Sequence, residues 1–324
     1  MSDDRPILSV EGLRTHFFTR KGVVKAVDDV SFCLRRGEIM GLVGESGAGK
    51  SITGFSILRL IDPPGRIVAG RIAFDGEDLL MKSEAQMAKI RGDRIGMVFQ
   101  DPQTSLDPVF SIGTQLIEAL QAHHPVARVQ ARLRAVERLR VVGIPAPAER
   151  LASYPHQFSG GMRQRVVISI ATGGNPALLI ADEPTTALDV TIQAQVLTLM
   201  RTLCRDHGTA MILITHDIAL VGQISDTIAV MYAGHLVEHG TAEAVIRTPR
   251  HPYTQGLLRS IPGRQERRKR LIQIPGMMPS LADLPEGCPF RPRCERAEPA
   301  CLIRPPFAEV TPGHAVACVV EGRR

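Results

Sequence analysis

An unbroken apolar run, Ile39–Val43, leads directly into Gly44-Glu45-Ser46-Gly47-Ala48-Gly49-Lys50-Ser51, and an apolar-periodic stretch continues from there to Leu60. No other feature constrains the fold of this chain as strongly. The eight-residue segment satisfies G-x-x-x-x-G-K-[ST] in full, with a buried strand before it and a helix after it, as that pattern requires. Glycine admits backbone conformations closed to other residues. The loop's N–H groups can therefore turn inward around an anion, and the N-terminus of the following helix adds partial positive charge there. In such a loop Lys50 reaches the β- and γ-phosphates of a nucleotide, and the Ser51 hydroxyl binds Mg²⁺.

A second apolar run, Leu178-Leu179-Ile180-Ala181, ends in Asp182-Glu183. A strand of this kind buries its body and presents its acids at the C-terminal edge, where open α/β sheets bind ligands. Beside a phosphate loop, Asp182 is placed to hold Mg²⁺ through water, and Glu183 to polarise an attacking water. Gln100 and His216 also follow short apolar strands, Ile95–Phe99 and Met211–Thr215. Each could cap a turn. In this company each is positioned to reach a γ-phosphate, its metal or the water.

The 324 residues leave room for one large domain or two smaller ones. Strand-like segments at Ile7–Phe18, Val30–Leu34, Ile39–Val43, Ile95–Phe99, Leu178–Ala181, Met211–Ile214 and Thr227–Met231 alternate with helical ones at Ser51–Leu60 and Val190–Arg205. That alternation predicts an α/β fold with a largely parallel sheet. From about Asp107 to Gly174 the period is helical, with Val126, Val129, Leu133, Val136 and Leu139 as its apolar stripe, so a helical subdomain is expected inside the α/β core. The core spans 1–250, and a Pro-rich extension follows over 251–324.

No apolar run approaches the length of a membrane span, and the acidic start, MSDDRPILSV, lacks a signal-peptide core. Net charge is +6, yet Trp is absent and aromatic residues make up 4%. The basic run Arg264–Arg270 has no interleaved aromatics, which argues against nucleic-acid binding and reads as a solvated linker near lipid headgroups. Of the six cysteines, Cys33 and Cys204 are expected to be buried small hydrophobes. Cys288, Cys294, Cys301 and Cys318 crowd the end of the chain. A cytosolic chain does not keep structural disulfides, so a metal or cluster site is the better reading. The spacing lacks the tight C-x₂₋₄-C pair of structural zinc sites. It favours a 4Fe–4S cluster, with Zn²⁺ or unligated thiols as alternatives.

Ser159-Gly160-Gly161-Met162-Arg163-Gln164-Arg165, just ahead of the Asp-Glu strand, resembles the signature of ATP-binding cassette (ABC) ATPases. The motifs stand in that family's order over about residues 5–250. The resemblance implies a P-loop NTPase fold in which ATP contacts Phe17 (Phe18 as the runner-up for adenine stacking), residues 44–51, Gln100 and Asp182. Mg²⁺ is held by Ser51, Gln100 and Asp182, and Glu183, His216 and Gln100 are catalytic. Ala187-Leu188-Asp189 matches the D-loop. Ser159, Gly160, Gly161 and Met162 face the ATP of a partner subunit. Two positions depart from the pattern: Phe158 stands where Leu is usual, and Met162 where Gln is usual.

Phe99-Gln100-Asp101-Pro102, Ser105-Leu106-Asp107-Pro108, Tyr154-Pro155-His156-Gln157, His251-Pro252-Tyr253-Thr254 and the Cys-containing tail are similar to the peptide-importer branch of that family. That similarity implies a subunit on the cytoplasmic face of the cell membrane, paired head-to-tail with a second ATPase. Its other partners would be two transmembrane permease subunits and an extracytoplasmic solute-binding protein. Import of another solute, such as nickel or glutathione, and a soluble non-transport ABC ATPase are the alternatives.

Overall fold

The computed structural model describes residues 5–123, 125–186, 188–261 and 273–321. In chain order the strands are β1 (Leu8–Thr19), β2 (Gly22–Leu34), β3 (Ile39–Val43), β4 (Gly65–Phe74), β5 (Glu77–Asp78), β6 (Ile95–Val98), β7 (Leu178–Asp182), β8 (Ala210–Thr215), β9 (Thr227–Tyr232), β10 (His235–Thr241), β11 (Ala308–Thr311) and β12 (His314–Val316). The helices are α1 (Lys50–Ile57), α2 (Glu84–Ile90), α3 (Pro102–Ser105), α4 (Ile112–His123), α5 (Arg128–Val141), α6 (Pro147–Arg150), α7 (Gly160–Ala171), α8 (Val190–His207), α9 (Ile218–Ile224), α10 (Ala242–Arg247) and α11 (Pro252–Arg259). The chain folds as two compact units. One takes the chain up to Leu34, Glu38–Leu80 and the chain from Leu213 onward; the other takes Arg35–Gly37 and Met81–Ile212.

In the first unit β3 is buried along its whole length and runs parallel to β9. Burial on both faces is why its sequence is a continuous apolar run rather than an alternation. β10 and β12 continue from β9 as antiparallel neighbours. A separate antiparallel sheet, in the order β2-β1-β4-β5, accompanies them. The sequence showed only the last third of β2, because Gly22–Asp29 is polar and mixed. Along Val30–Leu34 the period is 2: Val30, Phe32 and Leu34 point inward, and Ser31 and Cys33 outward. Cys33 is therefore exposed, not buried as its apolar neighbourhood implied. Cys204 is buried as expected, and desolvation pushes its thiol up to about 12.

In the second unit β6 and β7 are parallel neighbours, with Ile95 opposite Leu178 and Val98 opposite Ala181. Helices α3–α7 fill the chain between them. On α5 the expected apolar stripe is displaced. Ala131, Ala135 and Leu139 are buried, whereas Val129 and Leu133 are 75% and 66% exposed. The small alanines let α5 lie close against α4, and they carry the period of 4 that the larger residues obscured.

The extension is anchored in the first unit by a buried carboxylate. Glu238 of β10 accepts the backbone N–H groups of Arg250 (2.7 Å) and His251 (2.9 Å) and pairs with His314 of β12 at 2.7 Å. His251 caps α11, its Nδ1 accepting from Tyr253 N–H. The basic run Arg264–Arg270 lies outside the described residues.

Burial holds His251 and His235 well below the ordinary imidazole range, each at about 4; near His235 the Arg304 charge adds to this. Both are neutral when folded and take up protons when unfolded. Stability is therefore lost as pH falls from about 6.5 toward 4, by roughly 3 kcal/mol per histidine. Urea denaturation between pH 7 and 4.5 checks this. His251→Asn keeps a neutral cap and is expected to flatten the slope by about one proton; an unchanged slope would remove His251 from the account.

Candidate nucleotide-binding site

The phosphate loop joins β3 to α1. Gly49 is the N-cap of α1 at φ 104, and a Cβ there would come within 2.2 Å of the Ala26 carbonyl oxygen. At Gly44 a Cβ would come within 2.2 Å of the Met231 carbonyl oxygen. The loop is thus pressed against its own walls, and only glycine fits at either end. The N-cap of α1 is a glycine, so no N-cap side chain stands between the start of the helix and the loop. Lys50 is buried, and its ammonium donates to the carbonyl oxygens of Gly44 (2.8 Å) and Glu45 (2.9 Å). Ser51 follows on the first turn, partly exposed.

Three groups from outside the motif hold this loop. Tyr253 of α11 accepts the Glu45 N–H at 2.8 Å. Arg293, in the Cys-rich extension, pairs with the Glu45 carboxylate at 2.9 Å. The Met278 methyl lies 3.2 Å from where a Gly47 Cβ would be. Sequence reasoning missed all three. Arg293 is 248 positions from its partner, and no spacing pattern marks so distant a contact.

Phe17 is half-buried on β1, with its ring against Gly65 of β4. Phe18 is exposed, with the Arg66 guanidinium 5.7 Å from its ring centre. His216 is exposed at the end of β8, just before Asp217, which caps α9.

In the second unit the parallel pairing of β6 with β7 brings Gln100 beside Glu183. The Gln100 Nε2 donates to the Glu183 carboxylate at 3.2 Å, and the Thr186 hydroxyl donates to the same oxygen at 2.8 Å. Asp182 is buried at the last position of β7. Glu183 takes φ 44, a left-handed conformation that a non-glycine residue rarely adopts. This strain turns its carboxylate out of the strand direction toward Gln100 and Thr186. Within this unit the buried Asp182 carboxylate and the Gln100 amide oxygen are hard oxygen donors of the kind Mg²⁺ takes, and the Gln100 amide nitrogen donates to Glu183.

The signature serine, Ser159, is the N-cap of α7, its hydroxyl accepting from Met162 N–H at 3.3 Å. Ser159 and Gly160 are exposed, and a Cβ on Gly161 would lie 2.7 Å from Ile192 of α8. Phe158, the departure from Leu, is buried beneath Arg150. Asp189 caps α8 by accepting Ile192 N–H at 2.9 Å; Ala187 of the D-loop lies outside the described residues.

Cys288, Cys294, Cys301 and Cys318 line one small cavity, together with His251, Phe290 and Pro305. Gly287 and the Cys288 N–H to Cys301 carbonyl bond (2.9 Å) bring the first and third cysteines together. Burial raises the thiols of Cys288, Cys294 and Cys318, Cys288 to about 11. Backbone N–H groups oppose that rise: those of Phe290 and Arg291 at Cys288, of Arg296 at Cys294, and of Val320 and Glu321 at Cys318. Among the described residues, no group of three or more His, Cys, Asp or Glu is placed to hold a single metal ion.

The family model for ABC transporters matches residues 27–186, and that for the oligopeptide/dipeptide transporter C-terminal region matches residues 237–301. The chain is 47% identical over 300 residues to the dipeptide transport ATP-binding protein DppD of Escherichia coli, covering 93% of this chain and 92% of that one. It is 47% identical over 312 residues to the oligopeptide transport ATP-binding protein OppD of the same organism, covering 96% and 92%. A putative peptide import ATP-binding protein of Brucella abortus is 49% identical, covering 97% of both chains. Among solved structures, CbiO1 of Clostridium perfringens, part of an ABC transporter complex, aligns with TM-score 0.66 at 26% identity, covering 76% of this chain and 92% of that one. The ATP-binding cassette MJ0796, solved as a dimer with ADP and phosphate, aligns with TM-score 0.65 at 25% identity, covering 72% and 98%. This chain belongs to the ATP-hydrolysing cassettes of ABC transporters and carries the C-terminal region of their oligopeptide/dipeptide branch.

Proposed function

We propose that this chain binds and hydrolyses ATP to power import of di- and oligopeptides through a membrane transporter. The observation that carries the reading is an intact phosphate loop and an ordered Gln100–Glu183–Thr186 set in a chain that aligns with a dipeptide transport ATP-binding protein over 93% of its length. The loop N–H groups, Lys50 and the start of α1 bind the phosphates, and Phe17 or Phe18 stacks on the base. Ser51, Asp182 and Gln100 would hold Mg²⁺, which would screen the phosphate charge when bound. Glu183 orients and polarises the attacking water, with Gln100 and Thr186 fixing its carboxylate, and His216 contacts the γ-phosphate side.

Ser159, Gly160, Gly161 and Met162 present a helix N-terminus to the ATP of a second cassette, with Asp189 beside it. ATP closes the pair and hydrolysis reopens it. Exposed Phe110 and Tyr154 are brought near each other by the Ile112 N–H to Ser153 carbonyl bond, 2.9 Å. They offer an apolar seat for a cytoplasmic loop of a permease subunit. Among the described residues no helix is long and apolar enough to cross a membrane. Attachment to the inner face of the cell membrane would then come through those partners, with a solute-binding protein delivering peptide outside.

The four cysteines would hold a 4Fe–4S cluster. The four cysteines line one cavity, and backbone N–H groups oppose the burial shift on three of the thiols, which supports a thiolate-ligated group there. When bound, the cluster supplies a structural cross-link, because ATP-driven transport needs no electron.

Glu183→Gln is expected to keep ATP binding and to lower turnover of the assembled transporter by roughly 10²- to 10⁴-fold. Lys50→Ala is expected to weaken binding itself. Turnover of Glu183→Gln near wild type would remove Glu183 from its role. Protein purified without oxygen is expected to be brown, with thiolate–iron absorbance at about 400 nm and four irons per chain. One zinc and no iron would replace the cluster by a zinc site; neither metal would leave only thiols.

A further inference from the structure

Arg293 lies between Cys288 and Cys294, in the turn Arg291–Arg293 of the extension. Its side chain is 6% exposed, against 28% for its partner Glu45. Nη1 donates to the Glu45 carboxylate at 2.9 Å and to the Tyr232 hydroxyl at 3.3 Å, and Nε donates to the Pro275 carbonyl at 2.8 Å. The guanidinium sits 5.8 Å from the Tyr232 ring centre and 5.9 Å from that of Phe290. Those rings meet Tyr253 edge-on or tilted, and Tyr253 takes the Glu45 N–H. One side chain of the extension is thus fixed at four points around the second residue of the phosphate loop.

A carboxylate at that position is costly for a loop that binds a triphosphate. Its charge opposes the ligand's, and partial burial weakens the screening that water would provide. A guanidinium never deprotonates in a protein, so Arg293 cancels that charge at every working pH. We propose that Arg293 is a positioning residue for nucleotide binding: it neutralises Glu45 and clamps the phosphate loop, making ATP affinity depend on the folded Cys-rich extension. The proposal rests on the reading of the loop as an ATP site. By linkage, the dependence is mutual: nucleotide in the loop steadies the segment from Cys288 to Cys294.

A double-mutant cycle on the full chain, read as the dissociation constant of a fluorescent ATP analogue, tests this. Arg293→Ala is expected to weaken binding by about tenfold or more, with a raised KM for ATP and a smaller change in kcat. Arg293→Lys, which keeps the charge, is expected to recover part of the loss. Arg293→Ala with Glu45→Gln removes the uncompensated carboxylate and is expected to recover most of it. Glu45→Gln alone, which leaves the Arg293 charge in place and removes the opposing carboxylate, is expected to bind more tightly than wild type, and it remains informative if Arg293→Ala does not fold. Hydrogen exchange across 288–294 is expected to slow when a non-hydrolysable ATP analogue binds, and to lose that response in Arg293→Ala. Wild-type affinity in Arg293→Ala, or a double variant as weak as Arg293→Ala, would overturn the proposal while leaving the ATP site standing. A wild-type chain that binds no nucleotide would overturn the site itself.

Discussion

Two carbonyl oxygens, those of Ala26 and Met231, close off the space where side chains would stand at positions 49 and 44. That steric limit governs the site. It forces glycine at both ends of the loop and starts α1 from a left-handed residue without a side-chain cap. The helix N-terminus is left directed at the loop. The limit is imposed by buried strands: Met231 lies on β9, the parallel neighbour of fully buried β3, and Ala26 on β2. Packing in the core thus becomes electrostatics at the loop. The same strands support Tyr232, and through it Tyr253, Phe290 and Arg293. The extension is built onto the wall that shapes the phosphate loop.

The Glu183 carboxylate is held by a different device. Asp182 keeps strand geometry and is buried, whereas Glu183, the next residue, leaves it through a strained backbone. Adjacent acids thereby acquire different environments: one withdrawn, the other shared between Gln100 and Thr186. Pro184, buried after it, stiffens the exit. Strain of this kind persists only where surrounding contacts over-determine it, and the two hydrogen bonds on Glu183 are such contacts.

The loop and the Asp-Glu strand could be read from sequence because each is local: a motif of a few consecutive residues sets its own geometry. β3, β7 and α8 were legible for the same reason, as buried runs or long periodic segments. What escaped was non-local or masked by composition. The strands β1 and the end of β2 were legible, but the pairing of β2, β1, β4 and β5 into an antiparallel sheet depends on register, with bulges that no local pattern sets. The buried face of α5 is made of alanine, so its exposed Val129 and Leu133 drew attention to the wrong side. Cys33 was misplaced because an apolar neighbourhood does not reveal which face of a strand a residue takes. The Arg293–Glu45 pair joins the two ends of the chain, and only the fold brings it together.

The central claim is that each ATP is enclosed by two cassettes, the loop of one and the signature helix of the other. Light-driven backbone cleavage by ADP-bound vanadate, in the assembled transporter with this chain tagged, tests it directly, because vanadate in the γ-phosphate position cuts only backbone within reach. The account predicts two cuts in this chain: one within Gly44–Ser51 and one at Ser159. Cleavage confined to the phosphate loop, with the signature segment intact, would contradict it.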